Sequence, residues 1–249
     1  LALVEHEVLD RLGADVVPLE VSVARWFHEP AKSGVRHDLF SGHTVYFPPG
    51  TNIAEEQSGD LVLTDTAGTP YARMPEDGYY FDFIRPTMAT RRIDPDAFQP
   101  PTTVPESDLD ALAAHARYLY DETDKAILGW GGGISLAGLS ALLSDNITQG
   151  SLDEWLCMLM AEKATAHEMM ARYVDSAIAC FSLYHEAVGD RCFAWGIASD
   201  DAGTQRSGLI QSDLFAEMFA PHYARLCDWV HANTGWKTFL HSCGAIRDY

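Results

Sequence analysis

The chain has 249 residues, 47% of them hydrophobic, which is enough for a sizeable buried core. Its 36 acidic residues against 17 Lys and Arg leave a formal charge of −19, and such a surface repels phosphate backbones and anionic lipid, which argues against nucleic-acid and membrane partners. No apolar run long enough to cross a bilayer occurs, and no basic segment leading into an apolar one opens the chain.

In chain order, Leu3 to Leu12 reads as a helix, closed by Gly13-Ala14-Asp15. A short apolar strand follows over Val16–Val21, with Pro18 removing one ladder donor and Glu20 near its end. From Thr44 to about Phe83 the pattern alternates with period two, over Thr44–Phe47, Leu61–Thr64, Pro70–Met74 and Tyr79–Phe81. Turns at Pro48-Pro49-Gly50, Ala67-Gly68 and Asp77-Gly78 separate these runs, so residues 44–83 are predicted to be a β-meander inserted into one domain spanning 1–249. The proline-rich stretch 94–106 is a connector.

Three helices with readable starts come next. Ser107 with Asp110 and Ser151 with Glu154 have capping-box spacing, the second opening a long helical stretch to about Tyr184, and Ser212 caps a third helix. Pro221 forces a kink or a restart there. Between the helices lie apolar strands near 125–130, 192–198 and 237–241. Short apolar strands alternating with long helices imply βα units and a parallel sheet, in which the chemistry sits at the carboxyl ends of the strands.

The five cysteines are odd in number and scattered, which fits a reducing compartment and a cytoplasmic protein. Cys157, Cys180 and Cys227 fall in helical patterns, where a free Cys packs as a small hydrophobe, and Cys192 opens an apolar strand. Among the histidines, His6, His28, His37, His43, His115, His167, His185, His222 and His231 show no ligand spacing, and most of them read as surface or capping residues. Trp26, Trp130 and Trp195 read as core or pocket wall.

His241 differs: it stands two residues before Cys243, so on a strand both side chains leave one face, and imidazole and thiolate suit zinc. The plainer alternative is a polar strand end with a buried thiol. Asp200 and Asp201 end the preceding strand, either as turn residues or as carboxylates in the site acting as base, orienting group or substrate acceptor. Gln205 and Arg206 offer amide and guanidinium contacts to a polar or carboxylate-bearing ligand. Gly131-Gly132-Gly133 lacks phosphate-loop spacing, and reads as close backbone packing or as an anion-binding turn.

The order Asp200-Asp201-Ala202-Gly203-Thr204-Gln205, then a helix with Phe215, Phe219-Ala220-Pro221 and Tyr223, then Phe239-Leu240-His241-Ser242-Cys243-Gly244, resembles the uroporphyrinogen decarboxylase superfamily. Within it, the closer resemblance is to the corrinoid (cobalamin)-dependent methyltransferase branch, and it is most specific over residues 195–249. The resemblance implies a (β/α)8 TIM barrel, of which the four visible strands would be the amino-terminal half. The chain starts within a helical pattern and stops after a strand–Gly boundary, so a piece of a longer protein is expected. The resemblance further implies zinc on His241 and Cys243, a third protein ligand beyond Tyr249, and a barrel-mouth location for Gly131 and Gly132 as substrate contacts. It implies methyl transfer between a corrinoid on a partner protein and a zinc-activated thiol of a small-molecule substrate, with Asp200, Asp201 and Glu20 as catalytic carboxylates. Two alternatives stand beside it: a tetrapyrrole decarboxylase using a carboxylate at the mouth, and a non-catalytic ligand-binding barrel.

Overall fold

In chain order the elements are α1 (His6–Leu12), β1 (Val16–Glu20), β2 (Val35–Asp38), β3 (Thr44–Phe47), β4 (Asn52–Glu55), β5 (Leu61–Thr64), β6 (Pro70–Met74), β7 (Asp82–Phe83) and α2 (Glu106–Glu122). They continue with β8 (Ala126–Ile134), α3 (Leu152–Ala161), α4 (Lys163–Val188), β9 (Ala194–Asp200), α5 (Ser212–Met218), α6 (Ala220–Asn233) and β10 (Lys237–Ser242). This computed structural model describes residues 6–21, 35–38, 42, 44–47, 50–65, 67–84, 93–135 and 152–249. The chain divides into two compact units, Leu1–Arg25 with Arg91–Tyr249, and Trp26–Thr90.

The first unit is a mixed α/β layer structure. Its four strands form one sheet in the order β1-β8-β9-β10, and every neighbouring pair is parallel. Short apolar strands favour this arrangement because parallel sheets bury both faces. Strand β9 shows it best, with Ala194 to Ala198 all buried. Helix α4 packs on β8, α2 and α6, while α2 covers β1 and α6 covers β10. The expected adjacency and direction of the four strands therefore hold.

Both ladders flanking β9 lose register at the same residue. Strand β10 pairs Phe239 with Gly196 and Leu240 with Ala198, while β8 pairs Trp130 with Gly196 and Ile134 with Ala198. Ile197 is thus skipped on one side and faces the run Gly131–Gly133 on the other. Bulges of this kind re-aim the strand ends that follow them. The glycine run, expected as a turn after a strand, lies inside β8 as its irregular segment. A Cβ on Gly132 would stand 2.8 Å from the Tyr184 ring and one on Gly133 would stand 2.7 Å from the Ile197 carbonyl oxygen. Close packing is the reason for these glycines, and Gly132 also has φ +67°.

The core beneath is aromatic. Trp195 stacks on Trp236 at 4.5 Å between ring centroids and on Tyr184 at 5.4 Å, and Trp195 and Trp236 are buried. Their indole N–H groups donate to the carbonyls of Gly131 and Gly189, each at 3.0 Å. Polar handles satisfied in this way let large rings be buried at little polar cost.

Several local expectations are corrected. Pro105 stands at the α2 cap with fixed φ −55°, so Ser107 lies inside the first turn and donates to Asp108 Oδ1 at 3.3 Å rather than capping. Gln211 stands at the N-cap position of α5 without a side-chain capping bond, and Ser212 is the first helical residue. The long stretch after Ser151 is two helices broken at Glu162, whose φ −131° and ψ 48° are not helical. Pro221 does restart the chain, at the beginning of α6. Cys157 is exposed, not packed as a small hydrophobe. His115 and His222 are buried, not surface residues. The predicted Ser151 cap, Trp26, His28, His43 and the start of the first helix at Leu3 lie outside the described residues.

The second unit holds two antiparallel sheets where one meander over 44–83 was expected. Strand β3 pairs with β2, and β4-β5-β6-β7 form a separate four-stranded meander. Asn52–Glu55 is a strand with alternating polar character too weak to read, and the last strand is Asp82–Phe83 rather than Tyr79–Phe81. Tyr79 and Tyr80 are exposed. These strands lie outside the parallel sheet, as the change of period indicated.

Candidate metal site

The carboxyl ends of β9 and β10 bring the candidate donors together. Their final rungs pair His241 with Ser199 and Ser242 with Asp200. His241 and Cys243 are both exposed, and the His241 Nε2 lies 3.4 Å from the Cys243 Sγ. Asp201, the residue just past the end of β9, completes a group whose ligand atoms all lie within 4.8 Å of one another. Among the described residues this is the one group of three or more His, Cys, Asp or Glu side chains so gathered.

The donor set fits zinc. Metal–nitrogen and metal–sulfur bonds of about 2.0 and 2.3 Å at tetrahedral angles hold their two donors about 3.5 Å apart. The His241–Cys243 separation of 3.4 Å matches that span. Nitrogen, sulfur and one carboxylate oxygen are ligands that zinc accepts, and three protein donors leave a fourth coordination place open. Asp201 offers a third donor atom from within the described residues, where the resemblance places the third ligand beyond Tyr249.

Electrostatics around the thiol depend on that carboxylate. The Cys243 thiol is pushed up from its ordinary value, first by its hydrogen bond to Asp201 and then by the charge of Asp201. A carboxylate beside a thiol disfavours the second negative charge. The same concentration of negative charge would favour a divalent cation.

Asp200 goes the other way. Consecutive strand residues project to opposite faces, so Asp200 turns inward while Asp201 faces solvent. Asp200 is 2% exposed and accepts hydrogen bonds from Ser135 Oγ at 2.7 Å and from the Tyr223 hydroxyl. This aspartate ties the ends of β8 and β9 to α6, and it is not part of the donor group.

Gln205 and Arg206 are exposed on the loop that follows Asp201. That loop is closed by a bridge between Gly203 and Gly208 and by Thr204 Oγ1, which accepts from the Arg206 and Ser207 amides at 3.2 Å each. It is also pinned beside the donor group. Ala245 donates its amide to the Thr204 carbonyl at 2.8 Å, and Tyr249 Oη donates to the Ile210 carbonyl at 2.7 Å. The two side chains are therefore presented from a fixed loop next to Cys243.

Glu20 ends β1, the opposite edge of the sheet from β10, with β8 and β9 between them. It shares the carboxyl-end rim but does not belong to the donor group. Burial pushes its carboxyl up from the ordinary range. Gly132 and Gly133 line a cavity of about 330 Å³ with Val21, Pro101, Tyr173 and Tyr184. Gly131, in contrast, is held by its carbonyl to the Trp195 indole.

Two features escaped the sequence reading. Asp201 as a third donor was legible in principle, because period two places it on the face opposite Asp200. The pairing of His167 Nδ1 with His222 Nε2 at 3.0 Å joins α4 to α6 and has no local sequence signal. No protein-family model matches the chain, and no curated protein matches it. Among the described residues, no helix is long and apolar enough to cross a membrane.

Proposed function

We propose that the chain is part of a zinc-dependent methyltransferase of the uroporphyrinogen decarboxylase-like superfamily. It moves a methyl group between a corrinoid, carried by a partner protein, and the thiol of a small cytoplasmic substrate. One observation carries this reading: Asp201, His241 and Cys243 gather three zinc-type donors at the carboxyl ends of two adjacent parallel strands. On this reading the four-stranded sheet is half of a (β/α)8 barrel, whose carboxyl-end rim is where such enzymes place their chemistry.

Zinc held by these residues would lower the pKa of an incoming thiol and keep it ready as a nucleophile. The chain's own residues do the rest. Asp201, His241 and Cys243, all three exposed, would provide the donors. Arg206 and Gln205, on the pinned loop, supply a guanidinium and an amide for a carboxylate or other polar group of the substrate. Glu20, whose raised affinity for protons comes from burial, supplies a proton-exchanging carboxylate on the same rim.

The test is metal analysis of protein purified without chelator, joined to an assay of methylcobalamin demethylation with a panel of small thiols. The expected result is close to one zinc per chain and thiol-dependent loss of the methylcobalamin absorbance. Metal-free protein that decarboxylates a tetrapyrrole carboxylate would replace this reading with the decarboxylase one.

A further inference from the structure

We infer that Ser242 is the positioning residue of the donor group, holding the β9 donor against the two β10 donors. The inference rests on the metal reading above and concerns what keeps its geometry. His241 and Cys243 come from one chain segment and Asp201 from another, so the site exists only while the ends of β9 and β10 stay in register. Ladder pairing stops at the rung between Ser242 and Asp200. Beyond that rung Asp201 has no strand partner to fix it.

Ser242 supplies the missing restraint. It lies between the two β10 donors, and alternation turns it away from the face they share. Its hydroxyl accepts the backbone N–H of Ala202, the residue after Asp201, at 3.2 Å, and donates to the Cys243 carbonyl at 3.2 Å. One hydroxyl therefore grips the main chain on both sides of the site. On its other side Asp201 is preceded by Asp200, anchored in the interior by Ser135 and Tyr223. The Asp201 main chain is thus pinned at both neighbours. Immediately beyond, Gly203 and Gly244 cross so closely that a Cβ on Gly244 would stand 2.1 Å from the Gly203 carbonyl oxygen. The crossing keeps the two chains together, but it is Ser242 that sets where Ala202, and with it Asp201, sits along β10.

A hydroxyl that orients donors acts as the outer partners of metal ligands do, and loss of such a partner typically costs 10–100-fold in metal affinity. A hydroxyl that only finished a strand end would change stability and leave metal affinity unmoved. The two are separable with Ser242→Thr and Ser242→Val, which have the same shape and differ in the hydroxyl, and with Ser242→Ala.

Zinc affinity would be measured by competition with a chromophoric chelator, and the thiolate-to-metal absorption band would be recorded with cobalt(II) in place of zinc. Ser242→Thr is expected to bind zinc within about threefold of wild type, while Ser242→Val and Ser242→Ala lose on the order of 10-fold or more. The cobalt band should be kept in Ser242→Thr and shifted or weakened in the other two. Ser242→Val with wild-type affinity and a wild-type cobalt spectrum overturns the inference. Wild-type protein that binds neither metal overturns instead the metal reading on which it rests.

Discussion

Asp200 and Asp201 are consecutive, yet Asp200 is 2% exposed between Ser135 and Tyr223 while Asp201 faces solvent beside Cys243. The pair is a joint between the interior and the site. Replacing each carboxylate by its amide should separate the two roles. Asp200→Asn weakens two hydrogen bonds made to a buried side-chain acceptor and is expected to cost about 2 kcal/mol of stability in urea unfolding. Asp201→Asn should leave the unfolding midpoint nearly unchanged and lower zinc affinity. If Asp201→Asn were the more destabilising of the two, the division of roles would be wrong.

The two glycine–tryptophan rungs between β8 and β9 give a second prediction. Gly129 faces Trp195 and Trp130 faces Gly196, and each ring lies over the glycine opposite. A Cβ on Gly129 would stand 2.1 Å from the Trp195 ring, and one on Gly196 would stand 2.2 Å from the Trp130 ring. The two clashes are nearly equal in distance but not in consequence. Trp195 is fully buried between Trp236 and Tyr184 and has nowhere to go, whereas Trp130 is half-buried against Phe239. Gly129→Ala should cost about 3 kcal/mol, and Gly196→Ala about 1 kcal/mol as Trp130 swings outward. Equilibrium urea unfolding of both variants checks the ranking.

These rungs also show what was legible in the sequence. The four parallel strands could be read because an apolar run between long helices is a local signal, and the structure ends them within a few residues of the expected limits. The glycines of β8 could not be read correctly, because what requires them is a ring or a carbonyl from β9 and α4, brought close only by the fold. Gly132, next to Tyr184, and Gly133, against Ile197, look like punctuation until those neighbours are in place. Ser107 misled for the opposite reason. Its spacing suits a cap, but Pro105 starts the helix two residues earlier. His241 and Cys243 were found by strand periodicity. The same rule applied one strand earlier separates Asp201 from Asp200, which the sequence reading had treated as equivalent.

The His167–His222 pair predicts a pH dependence of stability. The His222 imidazole is held below its ordinary value, first by burial and then by the charges of His167 and Arg225. When unfolded, the same ring titrates near 6.5. Above that value both states are neutral and His222 contributes no pH dependence. Below it the unfolded chain binds the proton first, so stability falls as pH drops from about 6.5 toward the depressed folded value. His222→Gln should flatten this part of the profile, measured as the difference in urea midpoint between pH 7.5 and pH 5.5. An unchanged slope would remove His222 from the account.

The cysteines predict a labelling pattern in which burial and Asp201 act separately. Burial pushes the Cys180, Cys192 and Cys227 thiols up, Cys192 to about 12, so at pH 8 few of them are thiolate and attack by an alkylating agent is slow. Cys157 and Cys243 are exposed and should be the two that react in the native protein. Cys243 is the slower of what exposure alone allows, because the Asp201 carboxylate holds on to its proton. Asp201→Asn removes that carboxylate, so in metal-free protein at pH 8 alkylation of Cys243 should become faster, because more of the thiol is then present as thiolate. Cys157 serves as the internal reference and should not change. Zinc added to wild-type protein should protect Cys243 and leave Cys157 reactive, since a thiol engaged as a metal ligand no longer competes for the alkylating agent. Mass-spectrometric rates at the two residues, with and without zinc, decide the matter. Equal protection of both by zinc would mean that the metal acts elsewhere than at Asp201, His241 and Cys243.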